Sequence, residues 1–367
     1  MINGFSNQPL TAEAARKLQS LDLEDKFLTT IEKIGEWEAA TNGKWYVSFS
    51  GGKDSTVLAY IAARFLASYR TPPHPLHLLF CDTGLEYPEI RKFAMSFPDF
   101  LKNRFPTVTI DFQRRRPKKH FFNVIFNCGY PIIGKEIAQQ IFESRKCPGG
   151  AMDKILRGTH ETKPASSFYT PGVESKWLFL QSAPFLVSHL CCKYTKKEPA
   201  DRYASETKRF SVNAQMADES RRRMTTWMKT GCNAFDGKRP QSKPMSFWLN
   251  QDVLKYILQE DIPICSVYGD IMAFDGENYY PSTLFDASLK CTGCQRTGCI
   301  FCGFGAHLEK GNDRRFVRLK ETHPKHWKFA IEGGEWDTDG LWKPSKTPGH
   351  VGLGMGRVLD YIGVEYK

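Results

Sequence analysis

No apolar run in this 367-residue chain reaches the roughly 18 residues that a membrane-spanning helix needs, so no membrane partner is expected. Met1 to Leu10 lack the basic start and apolar core of a secretory leader, and a cytoplasmic location is expected. Without a leader, an odd set of 11 cysteines does not read as a disulfide framework. Clustered thiols in such a protein read as metal-binding or catalytic. No internal repeat is found. A composition of 41% hydrophobic and 25% charged residues excludes disordered, collagen-like and coiled-coil chains. It suits a soluble protein of about two domains that can bury a sizeable core. Acid is in deficit: 40 Asp and Glu stand against 51 Lys and Arg, a net charge of +11. That balance favours polyanionic partners such as nucleotides, nucleic acid or anionic surfaces, and does not choose among them.

Residues 11–40 carry apolar side chains at helical spacing, from Leu18 to Trp37. Trp45 to Phe49 reads as a strand, Thr56 to Ser68 as a helix, and Leu76 to Phe80 as a second strand. Strand, loop, helix, strand is the opening of a parallel α/β sheet. Val108 to Phe112 is expected to be a third strand, followed by a basic loop from Arg114 to Lys119. Helices are expected over 136–146 and 245–259, and a long loop over 147–175. The expected organisation is a helical segment over 1–40, a nucleotide domain over 41–275 and a cysteine-rich segment over 276–367.

Ser50-Gly51-Gly52-Lys53-Asp54-Ser55 lies between the first strand and its helix. It lacks the four-residue spacing of a Walker A loop but shares its physics. Paired glycines let backbone amides approach an anion, and the helix N-terminus adds donors and a positive dipole. Lys53 supplies a cation, Ser50 and Ser55 supply hydroxyls, and Asp54 could orient the loop or hold Mg²⁺. Cys291-x₂-Cys294-x₄-Cys299-x₂-Cys302 is the second signal. Its glycines allow tight turns, and four thiolates suit either zinc or an iron–sulfur centre.

The six-residue loop resembles the signature of the PP-loop ATP pyrophosphatases. Four further segments resemble the phosphoadenosine phosphosulfate (PAPS) reductase family: Asp82-Thr83-Gly84-Leu85-Glu86-Tyr87-Pro88-Glu89; Cys191-Cys192 with Lys197-Glu198-Pro199; Asp218-Glu219-Ser220-Arg221-Arg222; and Pro244, Trp248, Asp252-Val253, Tyr256-Ile257, Ile262-Pro263 and Tyr268. The resemblance implies a doubly wound, mostly parallel α/β fold with an adenine nucleotide, ATP or PAPS, at the C-terminal edge of the sheet. By that pattern Ser50 to Ser55 hold the phosphate or sulfate end, with Lys53 and Asp54 as catalytic candidates. Asp82, Thr83 and Gly84 lie beside the nucleotide, and Arg221 and Arg222 pair with its oxyanions.

Two features depart from the family pattern. Met216 stands where the family has an arginine and Ala214 stands at its upstream glycine, and no cysteine follows Cys302, where sulfite-releasing members carry their nucleophile. In adenylyl-sulfate reductases of the family a Cys-Cys pair and a later CxxC together hold a [4Fe–4S] cluster, so Cys191 and Cys192 are alternative ligands here. A related arrangement serves the family's DNA-phosphorothioation sulfurtransferases. The expected function is sulfur transfer or sulfonucleotide reduction with an iron–sulfur cluster, zinc being the alternative metal and Mg²⁺ accompanying ATP. The other readings are an adenylating sulfurtransferase acting on nucleic acid, and a non-catalytic binding module with structural zinc. A sulfur or electron donor protein is a further expected partner.

Overall fold

A computed structural model describes the chain except residues 1–3, 70, 165–171, 238, 284–287 and 312–313. It divides into two compact units that alternate along the sequence. Unit 1 comprises Met1–Asp82, Glu86–Arg116 and Ala200–Thr297, and unit 2 comprises Thr83–Leu85, Pro117–Pro199 and Gly298–Lys367.

The chain opens with α1 (Ala12–Gln19) and α2 (Leu23–Thr41). One helix was expected here. The break falls at Asp22, whose side chain accepts a hydrogen bond from the Asp25 amide at 2.8 Å and so starts a second helix. Next come β1 (Trp45–Phe49), α3 (Lys53–Ala67), β2 (Leu76–Cys81), α4 (Pro88–Arg104) and β3 (Ile110–Arg115). The strand sequences WYVSF and LHLLF, apolar but for Ser48 and His77, are what a sheet covered on both faces requires. The third strand runs three residues further than expected, because β2 and β3 pair as far as Cys81 opposite Arg115. Two of the three consecutive arginines therefore belong to the strand and not to a basic loop.

The chain then enters unit 2 through α5 (Phe121–Cys128), β4 (Ile132–Ile133), α6 (Lys135–Lys146) and α7 (Ala151–Leu156). Helix α7 occupies part of the expected long loop over 147–175, of which 165–171 lie outside the described residues. Helix α8 (Glu198–Thr207) returns the chain to unit 1 and to β5 (Phe210–Val212), α9 (Arg221–Thr230), β6 (Asn233–Ala234), β7 (Gln241–Ser242) and α10 (Asn250–Gln259). A small antiparallel sheet follows, made of β8 (Ile271–Phe274), β9 (Tyr279–Tyr280) and β10 (Leu289–Cys291). Unit 2 resumes with β11 (Gly303–Phe304), which pairs with β4, and ends in short helices.

The principal sheet has the order β3-β2-β1-β5-β7-β6. All neighbours are parallel except the antiparallel pair β6 and β7. Strand order reverses at β1, where ligands bind in sheets of this kind. Helix α3 is buried along most of its length, and α2 adds Phe27, Ile34 and Trp37 to the same core. No described helix is long and apolar enough to cross a membrane.

Inside this core the Trp248 indole N–H donates to Thr30 Oγ1 at 2.8 Å, and Thr30 donates to the Lys26 carbonyl at 2.8 Å. Thr30→Val keeps the shape and strands a buried donor. It is expected to cost about 1–3 kcal/mol, read as a lowered midpoint in urea unfolding followed by tryptophan fluorescence.

Candidate functional site

The loop after β1 is shaped by its own side chains. Ser55 Oγ accepts from the Ser50 amide at 3.1 Å, lies 3.0 Å from Ser50 Oγ and donates to the Gly52 carbonyl at 2.9 Å. Gly51 has φ +73°, and a Cβ there would lie 3.0 Å from the Ile90 carbonyl oxygen and 3.2 Å from Ala94 Cβ. Backbone conformation and close packing both require glycine. Gly52 begins α3 without a side-chain cap, which leaves the helix's positive end open to an anion. The Lys53 amide donates to Tyr268 Oη at 3.1 Å, and Tyr268 Oη lies 2.7 Å from Thr297 Oγ1. Burial pushes the Tyr268 phenol well up from its ordinary range, so it remains a neutral partner. The buried Lys53 ammonium pairs with Asp54 at 2.9 Å.

On one side of the loop, Asp82 follows β2. Its buried carboxylate pairs with Arg91 at 3.0 Å, with Arg114, and with Arg116 at 3.5 Å. Thr83 and Gly84 belong to unit 2, where Thr83 Oγ1 accepts from the Leu85 amide at 3.1 Å. Arg115 pairs with Glu206 at 3.0 Å and lies over the Tyr203 ring. The arginines of 114–116 are thus bound into unit 1 by internal pairs.

On the other side stands α9. Arg221 and Arg222, expected to read the oxyanion, are exposed. The next residue, Arg223, is the half-buried one: it pairs with Glu219 and lies within electrostatic reach of Asp54 and Asp218. Arg296 also pairs with Glu219, at 2.7 Å. Burial, reinforced by Asp54 and Asp252, raises the Asp218 carboxyl against the opposing pull of Arg296.

The cysteine segment is divided. Cys291 and Cys294 belong to unit 1, and Cys299 and Cys302 to unit 2. Cys291 is buried, and burial pushes its thiol up to about 11. It lies within electrostatic reach of Lys53, Asp54 and Cys294. In unit 2, Cys191 interacts electrostatically with Cys299, Cys192 and Cys302, and Cys302 with Cys192. Burial raises both the Cys191 and the Cys302 thiols. The Cys302 turn is fixed by its amide on the Cys299 carbonyl at 3.0 Å and by Arg315, which donates to the Cys302 carbonyl at 2.9 Å. Among the described residues, no three or more His, Cys, Asp or Glu side chains are already arranged to hold a metal ion.

Spacing alone gives no signal for Arg296 or Thr297. Tyr268 was visible only as the last position of a longer motif.

A family model for the phosphoadenosine phosphosulfate reductase domain matches residues 157–303. That span includes Cys191, Cys192, α9, Tyr268 and the cysteine segment, and it begins after the Ser50 loop. The chain is 23% identical over 336 residues to an uncharacterized protein of Methanocaldococcus jannaschii, across 89% of this chain and 58% of that protein. It therefore spans less than two thirds of that relative's length. Among solved structures, the PAPS reductase of Candida auris in a phosphate complex is similar with a TM-score of 0.33 and 13% identity, over 71% of this chain and 92% of that one.

Tyr268→Phe removes the oxygen that orders the Lys53 amide while keeping the buried ring. ATP affinity, measured by calorimetric titration, is expected to fall about threefold to tenfold, as for one lost hydrogen bond, and stability to fall by about 1–3 kcal/mol because the Lys53 amide loses its buried partner.

Proposed function

We propose that this chain, which carries a phosphoadenosine phosphosulfate reductase domain, is a PP-loop enzyme that binds an adenine nucleotide and performs sulfur chemistry on it. The observation that carries the reading is the Ser50–Ser55 loop at the point where strand order reverses. Its amides, the end of α3 and Lys53 suit phosphate or sulfate oxygens. Asp54 holds the Lys53 ammonium and offers a carboxylate to the Mg²⁺ that accompanies ATP.

Cys191, Cys192, Cys299 and Cys302 would hold a [4Fe–4S] cluster. An all-cysteine set of soft ligands fits that group, and zinc is the competing occupant. Bound there, the cluster would supply electron transfer. The buried thiols of Cys191 and Cys302 are disfavoured as thiolates, so they need the metal's charge to ionise.

Two reactions fit the loop. With a sulfonucleotide, a thiol takes the sulfuryl group as the nucleotide phosphate leaves, and a second thiol, from a donor protein, then displaces sulfite and leaves a disulfide. With ATP, an acceptor oxygen attacks the α-phosphorus, pyrophosphate leaves, and sulfur from a donor protein then displaces AMP. One observation favours a nucleic-acid acceptor for the second reaction. Unit 2 holds 23 Lys and Arg against 15 Asp and Glu, whereas unit 1 holds 28 against 25. Most of the excess charge therefore sits on one unit, as a polyanion-binding surface requires.

Protein purified without oxygen is expected to contain iron and acid-labile sulfide. Cys191→Ser and Cys299→Ser are expected to lose both, and Cys291→Ser and Cys294→Ser to keep them. One zinc per chain and no iron would overturn the cluster. Lys53→Ala is expected to lower turnover about a hundredfold or more, measured in parallel as pyrophosphate released from ATP and sulfite released from PAPS. Turnover unchanged in Lys53→Ala would overturn the role given to the loop.

A further inference from the structure

Unit 2 displays aromatic rings that its core does not take in. Trp336 is 47% exposed, Phe179 43% and Tyr361 41%. Contiguous surface of that kind commonly marks a binding face. The three rings belong to one row. Glu335–Trp336 pairs antiparallel with Trp342–Lys343, and the rings of Trp336 and Trp342 meet at 5.4 Å between centroids. The Arg357 guanidinium lies over both, at 4.8 Å and 4.9 Å. Arg357 stands one turn before Tyr361 on the last helix, Met355–Tyr361, so the two share a face of it. Phe179 packs on Tyr361 at 5.8 Å, and Trp177 on Phe179 at 5.9 Å.

The row is held from behind. The Trp342 amide donates to the Pro184 carbonyl at 2.7 Å, and its indole N–H donates to the Gly354 carbonyl at 2.8 Å. Gly334 and Gly354 have positive φ, and a Cβ there would stand 2.6 Å and 2.7 Å from atoms of the Trp342 ring. Trp342 is thus a fixed anchor, and Trp336 is the ring it presents. The buried Phe185 backs Tyr361 edge to face at 5.3 Å.

Cations accompany the rings. Lys176 lies over Trp177 at 5.0 Å, as Arg357 does over its pair. Among the described residues, neither Arg357 nor Lys176 makes an ion pair. Carboxylates close in sequence are engaged elsewhere. Asp337 pairs with Lys343, Glu335 accepts from Thr347 Oγ1 at 2.9 Å, and Asp360 accepts from Tyr366 Oη at 3.0 Å. A nucleic-acid strand matches this surface. It brings flat bases that stack on any ring, and phosphates that the cations meet. The Arg357 guanidinium serves both, because its plane stacks while its charge stays unspent. A duplex keeps its base faces covered, so the matching strand is a single one. An apolar peptide would use the rings and leave the cations without partners.

We infer that Trp336, Arg357, Tyr361 and Phe179 form a stacking platform on unit 2 for single-stranded nucleic acid. The inference rests on the nucleic-acid reading given above and names the surface that receives the strand.

The test uses the full chain and a fluorescein-labelled thymidine oligonucleotide of about 12 nucleotides, single or paired into a duplex, followed by fluorescence anisotropy. Trp336→Leu and Phe179→Leu keep an apolar side chain and lose the flat face. Each is expected to weaken the single strand by about fivefold to a hundredfold, the loss for one stacked base. Trp336→Phe, which keeps a ring, should lose much less. The leucine variants lie at opposite ends of the row, so misfolding of one leaves the other informative. The duplex should bind wild type more weakly than the single strand does. Arg357→Gln is expected to weaken the single strand and to make its log–log salt dependence shallower by about 0.7. Calorimetric ATP affinity should stay at the wild-type value in every variant. If wild type binds the strand and all the variants bind it equally well, the platform is wrong and the nucleic-acid reading stands. If wild type binds ATP and no oligonucleotide, the platform and the nucleic-acid acceptor both fall, and the loop reading remains. If wild type sediments as a dimer and Trp336→Leu as a monomer, the face belongs to a second copy and the platform is overturned.

Discussion

The left-handed turn at Gly51 is the constraint on which the candidate site depends. It packs the backbone against Ile90 and Ala94 of α4, so the loop after β1 leaves the sheet in one direction only. The following residues then enter α3 with their amides directed along the helix axis. Ser55 fastens the loop internally, and Tyr268 fastens it from a distant stretch of chain. The result is a loop whose conformation is set by its own contacts, as the proposed anion site requires. Preorganisation of that kind removes the ordering cost from binding.

Charge is arranged around the loop with a consistent sign. Asp82 is buried under three arginines on one flank, and Glu219 lies between two on the other. In both clusters a carboxylate positions guanidiniums and leaves a positive remainder. A single carboxylate can hold two forked cations because each guanidinium presents a planar edge of donors. Lysine in those places would give the charge without the fixed direction.

Much of the fold was legible because its determinants are local. The strands Trp45–Phe49 and Leu76–Cys81 are largely apolar, and the glycine-bearing loop between strand and helix has a defined chemistry. The break at Asp22 was missed because apolar spacing continues across it and the capping hydrogen bond does not show in periodicity. The extent of β3 was missed because arginines read as loop until a partner strand and the Asp82 carboxylate are in place. Pairing of the Cys191-Cys192 dipeptide with the second half of the cysteine segment entered through family resemblance. Spacing suggests that the four clustered cysteines act together, and sequence distance carries no record of which unit each joins. Arg223 illustrates the same limit: an exposed arginine and a half-buried one are identical in a string.

The turn that follows the adjacent cysteines has its own consequence. Lys193–Lys197 form a π-helical turn between Cys192 and α8, and the Glu198 amide bonds back to the Lys193 carbonyl. Such a turn contains one residue more than an α-helix would use. Downstream it is anchored by Glu198, which accepts from the Lys118 amide at 3.3 Å. Upstream it carries Cys191 and Cys192. The surplus residue therefore acts as an angular spacer. Deleting it would restore ordinary helical winding and swing the two cysteines by about 100°, away from Cys299 and Cys302, with every thiol still present in the chain.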